Sequence, residues 1–91
     1  MSEPADVRLR RLRMRSSRRG TREMDLILGG YAAGAIDRLP PAMLDAFEAI
    51  LSENDHDLYH WVSGQSNVPE PHQEIVARIR AHLAREGAPS P

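Results

Sequence analysis

The sequence predicts an all-α fold, a small compact antiparallel bundle of about five short helices. Apolar residues recur at helical spacing in several segments, and no segment alternates polar and apolar residues as a half-buried strand does. The chain has 91 residues, which is enough for a single domain. Short loops connect the helical segments, and short loops favour neighbouring helices that run antiparallel.

Two predicted helices flank an arginine-rich turn. The first covers about residues 6–17. Its apolar positions are only loosely periodic, so we expect this helix to be weakly anchored to the core. These positions are Val7, Leu9, Leu12 and Met14. The second runs from about Thr21 to Ala33, with Glu23 and Asp25 in its first turn, where the helix dipole favours anions. Its apolar residues follow the i, i+3, i+4, i+7 spacing of a buried stripe: Met24, Ile27, Leu28 and Tyr31.

Three further helices are predicted in the second half of the chain. The third begins with Pro40 and Pro41, which suit a first helical turn, and carries the clearest core stripe: Met43, Leu44, Phe47, Ile50 and Leu51. The fourth is capped by Asn54, ends at Gly64, and turns three residues inward: Leu58, Trp61 and Val62. The fifth covers about residues 72–85 and buries Ile75, Val76, Ile79 and Leu83. We therefore expect one helical domain over residues 6–85, a flexible N-terminus over 1–5 and a disordered tail over 86–91.

The charge of the chain is distributed unevenly. Residues 1–22 carry eight arginines against two acids, whereas residues 23–75 carry ten acids against Arg38 alone. Such a dipolar layout favours oriented docking on a partner over general attraction to polyanions. Cysteine is absent, which excludes disulfides and zinc-thiolate sites. The uncharged run over residues 26–36 is far below the ~20 residues that span a bilayer. We expect a soluble, cytoplasmic protein.

Two motifs are similar to catalytic or ligand-binding patterns, but each has a simpler structural interpretation. His56-Asp57-Leu58-Tyr59-His60 is similar to the zinc-protease pattern HExxH. The acid here is an aspartate, however, and no downstream residue has obvious spacing for a third zinc ligand. Ordinary surface histidines are therefore favoured over zinc ligands, and no metal is predicted. Gly29-Gly30-Tyr31-Ala32-Ala33-Gly34 follows a helix and lacks the lysine of a phosphate-binding loop. Close helix packing or a helix stop is favoured there.

The N-terminal arginines are the main alternative site. They are Arg8, Arg10, Arg11, Arg13, Arg15, Arg18, Arg19 and Arg22. Together they could neutralise several phosphates, as a nucleic-acid-binding module does. No aromatic platform or base-reading helix accompanies them, and the acidic remainder would repel phosphate. Nucleic acid is therefore disfavoured as a partner.

The segment Arg19-Gly20-Thr21-Arg22-Glu23 combines groups that are suited to binding another polypeptide. Arg19 offers a planar fork of donors, and Glu23 offers an acceptor on the first turn of a helix. Gly20 lies between two helices, where a missing Cβ permits positive φ and close approach of a partner backbone. An internal Arg19–Glu23 pair that staples the turn explains the same residues equally well.

At this segment the sequence resembles the SdhE family, the small assembly factors that promote covalent attachment of FAD to the flavoprotein subunit of succinate dehydrogenase. The signature Arg-Gly-x-x-Glu is present as residues 19–23, followed by a hydrophobic helix, and a second similar patch covers residues 47–51 and 55–62. The resemblance spans residues 12–84. Family members usually have an aromatic residue just before the motif, where this chain has Met14 to Ser17.

The resemblance implies a chaperone without catalytic residues of its own. Its partner would be the flavoprotein subunit of succinate dehydrogenase, with fumarate reductase as a further client to test. The chaperone would bind no cofactor stably, because the chemistry of FAD attachment belongs to the flavin and to the protein that receives it. The implied partner-binding residues are Arg19, Gly20, Arg22, Glu23 and Asp25, with the Arg19 guanidinium exposed. An antitoxin-like or nucleic-acid-binding regulatory module is the alternative function.

Overall fold

Five α-helices build the fold in the computed structural model, which describes residues 3–86. They are α1 (Ala5–Ser16), α2 (Arg22–Ala35), α3 (Pro41–Ile50), α4 (Asp55–Val62) and α5 (Gln73–Glu86). A 3₁₀ turn, Ile36–Arg38, follows α2, and another, Glu70–His72, precedes α5. No strand occurs in this described range, so the all-α prediction is confirmed. Of the flexible N-terminus predicted over 1–5 and the disordered tail predicted over 86–91, residues 1–2 and 87–91 lie outside the described residues, whereas Ala5 begins α1 and Glu86 ends α5.

The helix boundaries follow from local capping groups. The Thr21 hydroxyl accepts the Met24 N–H and begins α2, and the Asn54 side chain accepts the Asp57 N–H at 2.9 Å and begins α4. Gly64, just beyond α4, has φ = +79°, a conformation that glycine adopts without steric cost. The predicted cap at Asn54 and the predicted stop at Gly64 are both confirmed.

The core forms around α2 and α5. Helix α2 packs against α1, α4 and α5, and α5 packs against α2, α3 and α4. The predicted stripe of α2 is fully confirmed as buried, as are the inward residues of α4. Phe47 and Ile50 of α3 and Ile75, Val76 and Ile79 of α5 complete the centre. Each helix thus buries one stripe and leaves its opposite face in solvent.

The attachment of α1 is stronger at its carboxyl end than its sequence indicates. Leu12 is completely buried, and the buried Ser16 hydroxyl donates to the Leu12 carbonyl at 2.7 Å. A Cβ at Gly29 would lie only 3.3 Å from the Ser17 Oγ, so the bare glycine lets the end of α1 approach α2 closely. Val7 and Met14, two of its loosely periodic apolar residues, are exposed. The expected weak anchoring is wrong for the second half of α1, and the packing interpretation of the glycine run is confirmed at Gly29.

Candidate functional site

The loop between α1 and α2, residues 17–21, is fixed by the side chain of Arg19. Its Nε donates to Oδ1 of Asp55 at 2.7 Å, its Nη1 to the Leu51 carbonyl at 2.6 Å, and its Nη2 to the Glu53 carbonyl at 2.6 Å. The two carbonyls belong to the end of α3 and the turn that follows, and Asp55 begins α4. We call this network of Arg19, Asp55 and the two carbonyls the arginine anchor. It ties the α1–α2 loop to the α3–α4 turn.

Asp55 binds two parts of the loop with its two oxygens. While Oδ1 accepts from Arg19, Oδ2 accepts the backbone N–H of Gly20 at 2.8 Å. Only 11% of the Arg19 side chain and 14% of the Asp55 side chain are exposed. The expectation of an exposed Arg19 guanidinium is therefore wrong, because the guanidinium is committed to acceptors within the chain. The alternative staple to Glu23 is wrong as well, since the internal partner is Asp55.

Asp25 also faces the loop. The half-buried Asp25 carboxylate accepts the backbone N–H of Arg19, and Thr21 between them caps α2. Two carboxylates from different helices therefore hold consecutive backbone N–H groups, those of Arg19 and Gly20. A loop whose amides are held in this way presents its outer residues in one orientation.

The outer residues form what we call the motif surface: Gly20, Arg22, Glu23 and Leu26. All four are exposed, and Leu26, one turn after Glu23, is 52% exposed. Neither Arg22 nor Glu23 forms an ion pair with any residue of the described range 3–86. The motif surface thus offers a cation, an anion and an apolar side chain beside a bare backbone position.

Gly20 does not require a left-handed backbone, contrary to the expectation from sequence. Within the described residues, the glycine with positive φ is Gly64. A Cβ at Gly20 would lie 3.4 Å from the Asp55 Oδ2, which is ordinary contact. A larger side chain would therefore project mainly into the space in front of the motif surface. Close approach by a partner, the other reason for glycine here, stays a prediction.

Two further residues belong to the site. Asp55 lies 36 residues from Arg19 in the chain, so no local sequence pattern predicts their contact. Leu26 could have been found, since it falls outside the i, i+3, i+4, i+7 stripe that buries Met24, Ile27 and Tyr31. A leucine off the buried stripe points toward solvent, and here it lies next to the motif.

Part of the N-terminal arginine cluster is neutralised by carboxylates of the chain. Arg8 pairs with Asp45 and Glu48, Arg11 pairs with Glu48 and Glu3, and the Arg13 guanidinium lies 3.9 Å from an Asp37 oxygen. Hydrogen bonds from Arg11 and Arg8 lower the pKa of Glu48 below its ordinary value, against the opposing effect of burial. These carboxylates occupy guanidinium groups that nucleic-acid binding would need for phosphate. The observation weighs against the nucleic-acid alternative.

The histidine motif of α4 offers no visible metal centre. The His56 and His60 rings lie 4.3 Å apart, but within the described part of the chain no three His, Asp or Glu side chains are placed to hold an ion. The absence of a metal stays a prediction. Among the same residues, no helix has the length and apolar character needed to cross a bilayer.

Comparison with known proteins gives one family. The family described as "Flavinator of succinate dehydrogenase" matches residues 10–83. A Legionella pneumophila protein named "FAD assembly factor SdhE" is 43% identical over 63 residues, which cover 69% of this chain and 80% of that protein. A Schizosaccharomyces pombe protein named "Succinate dehydrogenase assembly factor 2, mitochondrial" is 38% identical over 68 residues, 75% of this chain and 49% of that protein. The resemblance to the SdhE family is confirmed.

The relatives differ in length from this chain. The matched region is about half of the Schizosaccharomyces protein, and 56% of a Candida glabrata protein of the same name that is 35% identical over 85 residues. The family match over residues 10–83 contains the arginine anchor and the motif surface in full. What these proteins share with this chain is therefore the helical domain described above.

Proposed function

Because the chain belongs to the family of flavinators of succinate dehydrogenase, we propose that it is an assembly factor that binds the flavoprotein subunit of that enzyme and promotes covalent attachment of FAD. The observation that carries the proposal is the family match over residues 10–83, which includes the complete motif surface. Fumarate reductase is a second client that the same experiments can test. The cytoplasm is the proposed place of action.

In this proposal the protein acts without catalysis of its own. Covalent attachment of a flavin uses the reactivity of the flavin and of the side chain that receives it, and both belong to the partner. A helper contributes by holding the immature partner so that cofactor and acceptor side chain meet in reactive geometry, and such positioning can change rates by large factors. FAD accordingly stays with the partner and is not stably bound by this chain.

The motif surface is the proposed docking site. Glu23 would accept hydrogen bonds from a basic group of the partner, Arg22 would pair with a carboxylate at the rim, and Gly20 would allow the partner backbone close contact. The arginine anchor lowers the entropic cost of docking because the loop is ordered before the partner arrives. Arg19 and Asp25 contribute by positioning and not by direct contact. A charged surface of modest area suits a helper that must afterwards dissociate.

Glu23→Gln gives the sharpest test of this proposal. The substitution keeps the shape and removes the negative charge of an exposed side chain that has no ion pair in the described range. Only the interaction of this charge with the helix dipole is lost, so the free energy of unfolding should change by less than about 1 kcal/mol. In cells that lack the gene, this variant should restore less than about a tenth of the covalent flavin that the wild-type gene restores, since a desolvated charge pair contributes about 1.5 kcal/mol or more. Covalent flavin is read as fluorescence of the denatured flavoprotein subunit after electrophoresis.

Glu70→Gln is the matched control. Glu70 is also exposed and has no ion pair among residues 3–86, but it lies in the 3₁₀ turn before α5. The control should restore full covalent flavin. Normal labelling with Glu23→Gln would remove the motif surface from the proposal. Normal labelling in cells without the gene would remove the proposed function itself.

A further inference from the structure

A cationic pocket lies beyond the motif surface, at the other end of α2. It has a volume of about 560 Å³ and is lined by Tyr31 and Gly34 of α2, by Arg38, and by Arg78, His82 and Arg85 of α5. Twelve residues of helix separate Arg22 from Gly34, so the pocket is about 18 Å from the motif surface. None of the described residues that line it is acidic. Three guanidinium groups therefore surround one cavity, and no carboxylate stands among the described residues of its wall.

Within the part of the chain that the structure describes, Arg78 and Arg38 are only weakly engaged by internal acceptors. The Arg78 Nη2 lies 3.6 Å from a Glu74 oxygen, longer than a charge-assisted hydrogen bond, and both side chains are largely exposed. Arg38 donates to the Gly34 carbonyl, which neutralises the carboxyl end of α2 and leaves other guanidinium donors available. The wall of the pocket thus has donors in excess and few internal acceptors.

Tyr31 supplies a neutral donor at the base of the pocket. The residue is 2% exposed, and its ring packs edge-on against His82 at 5.3 Å between centroids. Burial raises the pKa of the Tyr31 hydroxyl above its ordinary value, although Arg78 and Arg85 oppose this effect through their charges. The hydroxyl therefore keeps its proton at neutral pH and can donate it in a hydrogen bond. Tyr31, Arg78 and Arg85 line the same pocket, so the three side chains converge on one cavity.

We propose that this pocket binds a small phosphate anion, with a diphosphate as the best fit. The donors come from α2, from the turn after it and from α5, so they approach a ligand from several directions. A phosphate group directs its oxygens tetrahedrally and can accept from all of these donors, whereas a carboxylate has two oxygens in one plane. A diphosphate adds further oxygens and carries several negative charges at neutral pH, which matches the three guanidinium groups.

Titration of the full-length protein with inorganic pyrophosphate tests the proposal. Amide chemical shifts are followed at constant ionic strength, and Gly34, Ala81 and His82 should show saturable changes with a Kd below about 1 mM. The double variant Arg78→Gln, Arg85→Gln should weaken binding at least about tenfold, because it removes two charge-assisted donors. Tyr31→Phe keeps the ring in the core and should weaken binding about threefold or more, because it removes one hydrogen bond.

The matched control is Arg10→Gln, Arg18→Gln, which makes the same change of net charge on the distant, exposed part of the chain around α1. The control should leave pyrophosphate affinity unchanged. Shifts that do not saturate by about 10 mM, or equal weakening by the control, would overturn the proposal and leave the arginines as favourable charges near helix ends. Citrate that binds as tightly as pyrophosphate would overturn the assignment to phosphate. None of these outcomes depends on flavin attachment.

Discussion

Asp55→Ala removes the acceptor that the arginine anchor is built around. The change leaves the Arg19 guanidinium, 11% exposed, with two carbonyl partners but no anion, and it leaves the Gly20 N–H without its acceptor. Breaking one side of a buried ion pair costs about 3–5 kcal/mol. The remaining carbonyl bonds and the partial exposure reduce this cost, so we expect a loss of about 2–4 kcal/mol in the free energy of unfolding.

The loss is measured by urea unfolding, followed by far-UV circular dichroism and by the fluorescence of Trp61. For a domain of this size, each kcal/mol corresponds to about 4–8 °C, so the melting temperature should fall by at least about 10 °C. The control is Asp45→Ala, which removes a carboxylate that is 71% exposed and that, among the described residues, pairs only with Arg8. This control should cost less than about 1 kcal/mol. Equal losses for the two variants would refute the claim that Asp55 holds the loop.

Three further predictions follow from the same contacts. Gly20→Arg should change the free energy of unfolding by less than about 1 kcal/mol, because the φ of Gly20 is not positive and a Cβ fits there. The variant should nevertheless abolish covalent flavin attachment. A larger loss in the free energy of unfolding, measured in urea, would indicate backbone strain instead. Glu48→Gln should destabilise the protein at pH 7 but not well below pH 4.5. Folding lowers the pKa of the Glu48 carboxyl group, so this group contributes stability above its ordinary pKa of 4.5 and loses that contribution as the pH falls through its folded-state pKa. A difference in urea midpoint between variant and wild type that stays constant from pH 7 to 3 would contradict this. Gly30→Ala should raise the free energy of unfolding by about 0.5–1 kcal/mol, because a Cβ there meets nothing within 4 Å. Gly29→Ala should raise the free energy of unfolding less, because its Cβ would lie 3.3 Å from the Ser17 side chain. The opposite order of urea midpoints would disprove the close α1–α2 contact.

The fold was predictable because its determinants are local. Helix α2 has a complete i, i+3, i+4, i+7 stripe, and every member of that stripe is buried. Asn54 and Gly64 mark the ends of α4 through hydrogen bonding and backbone conformation that involve only nearby residues. Helix α1 was less predictable, because its attachment depends on the approach of Ser17 to Gly29 across two helices.

The sequence predicts a candidate site at the α1–α2 loop but does not predict its internal contacts. The residues of the motif were identified from their chemistry and from a family resemblance, and the loop does bring them together. The direction of Arg19 could not be derived, because its acceptors are Asp55 and two carbonyls more than 30 residues away in the chain. A guanidinium with five donors fits a partner surface and an internal turn equally well. Only the packing of α3 and α4 against the loop decides between the two.

This inward direction of Arg19 divides the motif into residues that hold the loop and residues that face solvent. Arg19 and Asp25 are engaged within the chain, whereas Gly20, Arg22 and Glu23 are exposed. The two groups should therefore fail in different ways when they are changed. Loss of Arg19 destabilises the loop and the α3–α4 turn together, so its effect on flavin attachment should diminish at lower temperature, where more of the protein is folded. Loss of Glu23 leaves the fold intact, and cooling cannot replace the missing contact.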